Sequence, residues 1–174
     1  TTLFRSDAVV DYLPSPTEIP PAKAVHVKKD AEEEVSVECK EDAKFPVGLV
    51  FKIQFDPQMG ILCFVRMYAG KITTGTQVFN STKKKRERIN RILRVNANRM
   101  EQMDSVSAGD IAVFVGLKLA QTGDSIGSEG FPVLLESVKF PEPVISIAIE
   151  SETMSDRQKL LDTLDILSRE DPTF

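Results

Sequence analysis

The 174-residue sequence has no tryptophan, one histidine (His26) and two cysteines, Cys39 and Cys63. A lone histidine rules out any multi-histidine metal site and any pairing of several histidines with carboxylates or thiols. Two cysteines make neither a disulfide framework nor a zinc spacing, and they fit a reduced, intracellular compartment. No apolar run reaches bilayer-spanning length, and residues 1–13 show no signal-peptide pattern. GxGxxG, GxSxG and HExxH are all missing. The stretch GKITTG at 70–75 has the glycine spacing of a phosphate loop, but Thr76 and Gln77 stand where Lys and Ser/Thr are needed, so it reads as a turn. Most carboxylates fall in residues 30–42 or near the C-terminus, where solvation is the default. This chain by itself is not expected to be an enzyme.

What is present is an ordinary soluble composition, 41% hydrophobic and 28% charged, with 22 Lys+Arg against 26 Asp+Glu. On that net-acidic background, residues 78–99 (VFNSTKKKRERINRILRVNANR) gather Lys83, Lys84, Lys85, Arg86, Arg88, Arg91, Arg94 and Arg99 around one acid, Glu87. Such a block attracts polyanions, and counterion release supplies binding free energy. The same pattern also suits a solvated strand whose lysines guard a sheet edge. No aromatic residue lies between Asn80 and Met103, so any nucleic-acid contact from the block is expected to be to backbone phosphates.

Residues 1–13 read as a short amphipathic helix, the tail of a preceding domain, stopped by Pro14 and Pro16. PSPTEIPPA at 14–22 is a stiff linker, and the acidic stretch 24–44 reads as a loop or insertion with an edge strand near Val35. From Val47 the pattern has period two, with Val47, Leu49, Phe51, Ile53 and Phe55 on one face. ILCFVRMYA at 61–69 is apolar on both faces and predicts a central strand. Further strands are expected at 76–80, across 89–95, at 111–116, near Ile126 and at 134–140. Phe51, Phe64 and Phe114 are the core candidates. Asp110 and Asp124 follow glycine in turns and are expected to bind local backbone amides. Arg66 suits either a buried pair or contact with a neighbouring domain. The spacing of short strands and Gly/Asp turns predicts a mainly β fold, a closed antiparallel Greek-key barrel. A strand at 144–150 and a helix opened by Ser155, with Gln158 completing a capping box, follow it.

Taken in order, DAVVDYLPSP (7–16), VRMYAG (65–70), NSTKKKRERINRIL (80–93), AGDIAVFVGL (108–117), TGDS (122–125), FPEPVISIAIE (140–150) and EDPTF (170–174) resemble elongation factor G, a family of translational GTPases. The resemblance covers nearly the whole chain except about residues 24–44. It implies the end of the GTPase domain and a linker at 1–22, a domain II barrel at 47–140, and the first strand and helix of domain III at 141–174; residues 23–46, read from their composition as an acidic loop or insertion, do not map onto the family. It further implies a module that docks on small-subunit ribosomal RNA and on the GTPase domain of the same parent chain, in GTP-dependent translocation. A ribosome-recycling paralogue and a module binding an acidic protein partner are the alternatives. By this resemblance Lys83, Lys84, Lys85, Arg86, Arg88, Arg91, Arg94 and Arg99 would face RNA phosphates. GTP and Mg²⁺ would belong to the GTPase domain, whose phosphate loop, switches and guanine-reading motif do not occur here, so no cofactor is expected on this chain. The expected setting is a monomer in the bacterial cytoplasm, with the mitochondrial matrix as the alternative. The run Lys83–Lys85 departs from the family's usual glycine-containing version.

Overall fold

The computed structural model describes residues 2–27, 32–97, 99–136, 145–151, 153–171 and 173. The elements run α1 (Thr2–Tyr12), β1 (Ala22–Val27), β2 (Glu32–Val37), β3 (Val47–Asp56), β4 (Gly60–Ala69), β5 (Lys71–Thr73), β6 (Gln77–Asn80), β7 (Lys85–Arg88), β8 (Arg91–Asn96), β9 (Arg99–Met103), β10 (Ser105–Ser107), β11 (Ile111–Val115), β12 (Ser125–Gly127), β13 (Val133–Leu135) and α2 (Met154–Glu170).

The main sheet has the order β7-β6-β12-β3-β4-β11-β8-β9, all antiparallel. Its first strand, β7, is joined to β8 by only Ile89 and Asn90. The handover lies between these two residues: Ile89 exchanges backbone hydrogen bonds with Gly75 and Thr76 beside β6, whereas the Asn90 N–H donates to the Val115 carbonyl of β11 at 2.8 Å. One continuous run of chain therefore pairs with both sides, so the sheet curls back towards itself at this point.

The interior is filled by Val50, Ile53, Cys63, Val65, Met67, Val78, Ile89, Ile92 and Phe114, among others. Ile72 of β5 and Val106 of β10, a small separate two-stranded sheet, join the same cluster. A second cluster, with Val47, Leu49 and Ala69, packs the barrel against a three-stranded sheet of order β13-β1-β2. The acidic stretch is thus a hairpin rather than a loop, because Ala24, Val37, Val133 and Leu135 supply an apolar face that covers the barrel.

Three local expectations are corrected. A bulge between Val50 and Lys52 shifts the register of β3: Val50 and Ile53 point inward, and Phe51, at the bulge, is exposed, as is Phe55 near the strand end; one extra residue reverses the parity of what lies beyond it. Phe51 is therefore no core residue; it meets the half-buried Phe64 edge-on. Residues 145–150 keep the alternation of a strand, but among the described residues nothing pairs with them, and Ile145, Ile147 and Ile149 are exposed. α2 is capped by Thr153, whose side chain accepts from the Asp156 N–H, in place of the Ser155–Gln158 box. The last barrel-side strand is Val133–Leu135; residues 137–140 of the expected strand lie outside those described. No helix among the described residues is long and apolar enough to cross a membrane.

Candidate nucleic-acid interface

The basic block is built on the β6–β7 hairpin, its turn at 81–84, and the β8–β9 hairpin that follows. In β7, Glu87 is buried while Arg86 and Arg88 are exposed. An acid set between two arginines at strand spacing points opposite to them, and Glu87 points inward. Its Oε1 accepts from the Leu119 N–H at 2.6 Å, tying β7 to the segment after β11. The turn is held from below by Asn80 and Asp124, both buried. Asn80 Nδ2 donates to Asp124 Oδ2 at 2.8 Å, Asn80 Oδ1 accepts from the Lys83 N–H at 2.9 Å, and Asp124 Oδ2 also accepts from the Gln121 N–H. Asp124 thus binds a local amide as expected, and it holds a side-chain amide besides.

The eight cations do not form one surface. Lys83 folds back over the barrel end, donating to the Leu119 carbonyl and standing 3.9 Å from Asp124. Lys83 and Lys85 line an open cleft with Arg169 and Asp165 of α2, and Arg169 holds α2 there by donating to the Lys118 carbonyl at 2.8 Å. Arg86 is paired with Glu129 at 2.5 Å, and Arg94 lies 3.8 Å from Asp110, so Asp110 faces a cation rather than a local amide. Lys84, Lys85, Arg88, Arg91 and Arg99 are exposed and have no ion pair among the described residues. Arg91 shares the outer face of β8 with Leu93 and Val95, while Ile89 and Ile92 enter the core, so the alternation breaks where the strand changes partner. Arg66 lies 5.1 Å over the Tyr68 ring.

Two features escaped the sequence reading. Lys84 occupies the left-handed region, φ 54°, where glycine is the unstrained residue. The second is the partner strand: the register sets Phe79 opposite Arg86 and Gln77 opposite Arg88. A strand pairing, unlike a linear run of charge, sets the ring of Phe79 directly across from Arg86.

Comparison with known proteins agrees with this architecture. Residues 46–129 match the family "Elongation factor G domain 2" and residues 140–174 match "Elongation Factor G, domain III". The chain is 62% identical over 168 residues to elongation factor G 1 of Treponema denticola and 53% identical over 168 residues to elongation factor G 2 of Treponema pallidum. These matches cover 97% of this chain and 24% of each relative, so the chain spans about a quarter of their length. A crystal structure of a Thermus thermophilus protein superposes with a TM-score of 0.67 at 21% identity, covering 98% of this chain and 23% of that one, which supports the fold alone. With both domains matched in order around the barrel described above, the chain belongs to the elongation factor G family.

Proposed function

We propose that this chain is the ribosome-docking and interdomain-coupling part of a translational GTPase that acts in translocation, with its barrel set against small-subunit ribosomal RNA. The observation that carries the reading is the group of exposed cations without ion pairs among the described residues, Lys84, Lys85, Arg88, Arg91 and Arg99, on an otherwise acidic chain of this family. Unpaired cations release counterions into a phosphate contact without first breaking a salt bridge. Lys83, Arg86 and Arg94 support the reading less directly, since each already has an acidic neighbour. GTP binding and hydrolysis, with Mg²⁺, belong to the GTPase domain of the parent protein, and this part transmits rather than catalyses. The bacterial relatives favour a cytoplasmic setting.

The test is titration against purified small ribosomal subunits at two salt concentrations. Binding should weaken with salt, and changing Lys84, Arg88 and Arg91 together to glutamine should lower affinity and flatten the salt slope by about 3, close to one per phosphate contact. Binding that ignores these changes would remove the assignment.

A further inference from the structure

The strand pairing places an aromatic ring inside the basic surface, and this extends the phosphate-docking reading on which it rests. Phe79 and Gln77 share the outer face of β6, since Val78 and Asn80 between and beyond them are buried. Across the hairpin, Phe79 stands opposite Arg86, and Gln77 opposite Arg88. Phe79 belongs to none of the three apolar clusters and stacks on no other ring among the described residues. It is half-buried and lines an open cleft of about 430 Å³ between β5, β6 and the end of β12. Lys71, Gln77, Arg86 and Ser128 line the same cleft.

We propose that Phe79 is the stacking platform for one unpaired nucleotide of the RNA whose phosphates the basic block contacts. The ring supplies a π-face that any base can use. Gln77 and Ser128 supply both donors and acceptors for a base edge. Arg86 and Lys71 stand where the flanking phosphates would lie. Both already bind exposed carboxylates, Glu129 and Glu41, and such exposed pairs are weak enough for a phosphate to displace. A continuous duplex cannot fill the site, because its bases hide their faces in the stack; an extruded or bulged nucleotide can.

The experiment uses two short RNA duplexes, one fully paired and one carrying a single bulged 2-aminopurine, titrated with the protein at low salt. The bulged duplex should bind about 5- to 100-fold more tightly, the range that base–aromatic stacking supports, with quenching of the 2-aminopurine fluorescence. Phe79→Leu keeps the apolar bulk but removes the π-face; it should abolish both preference and quenching while affinity for the paired duplex holds. Phe79→Tyr should retain both. Equal affinity for the two duplexes, or a preference that survives Phe79→Leu, overturns the inference and leaves the phosphate-docking reading intact. Binding of neither duplex overturns both.

Discussion

Asn80 and Asp124 are 44 positions apart in sequence, yet their side chains meet inside the barrel end at 2.8 Å, and the basic turn is suspended from that contact. Asp124 Oδ2 gathers Asn80 Nδ2 and the Gln121 N–H, and Lys83 lies nearby at 3.9 Å. Removing the carboxylate leaves buried donors unsatisfied. Asp124→Ala should therefore lower stability by about 1.5–3 kcal/mol in denaturant unfolding, the usual range for a hydrogen bond to a charged group. It should also loosen the turn at 81–84, read as faster amide exchange at Lys83. Unchanged exchange there would mean the turn holds its own shape.

Phe114 and Phe51 both lie in apolar strand patterns, and only one of them belongs to the core. Phe114 is fully buried, and Phe51 is 38% exposed. Phe114→Ala should cost about 3–5 kcal/mol by opening a cavity, whereas Phe51→Ala should cost roughly 1 kcal/mol or less. Thermal unfolding of the two variants side by side checks the difference; equal losses would contradict the bulge at residues 50–52.

This pair also marks where the sequence was legible. The central strand β4 was readable because Cys63, Val65 and Met67 enter the core on one face while Leu62 and Phe64 pack with Leu93 and Val113 on the other, which leaves a nearly continuous apolar run. The bulge was not, since Phe51 has the composition of an inward residue and only pairing against β4 reveals the extra position. The basic block was legible as charge, but not which of its members are paired: Glu129 reaches Arg86 from 43 residues away, and Asp110 reaches Arg94 through the fold. The acidic hairpin was misread because its many glutamates face solvent, while Ala22, Ala24, Val35 and Val37 carry the packing signal.

Cys63 is sealed in the barrel interior, and burial pushes its thiol up to about 12, with the charges of Glu87 and Asp124 adding to the effect. A raised value favours the protonated thiol in the folded state. Its contribution to stability is complete below the ordinary value of 9.0 and is lost as pH rises from there towards about 12. Cys63→Val should accordingly lose less thermal stability than the parent between those values. In native protein at neutral pH, alkylation should reach Cys39 and spare Cys63. Modification of both thiols at equal rates would show that the interior opens readily.

Gly116 sits where the sheet curls back. Its φ is 116°, and a Cβ there would stand 2.7 Å from the Arg88 carbonyl and 2.8 Å from Asn90 Nδ2. Both contacts fall on the short segment that hands the chain from β6 to β11. Gly116→Ala should cost at least about 2 kcal/mol, combining left-handed strain with displacement of the backbone. Amide exchange at Asn90 should rise with it. A neutral substitution would mean that β7 and β8 are not held at this point.

Lys84 combines a strained backbone with an exposed charge, and the two can be separated. At φ 54° a side chain costs about 1–2 kcal/mol relative to a right-handed conformation, and glycine escapes that cost but loses more chain entropy on folding. Lys84→Gly should raise stability by up to about 1 kcal/mol while removing one unpaired cation. Lys84→Gln keeps the strain and removes only the charge. If the position is occupied by lysine for contact with phosphate, both variants should weaken binding to small ribosomal subunits equally and reduce the salt slope by about 1, although only the glycine variant is stabilised. Should the glycine variant bind as tightly as the parent, the charge at the turn is dispensable, and the contact rests on Arg88 and Arg91.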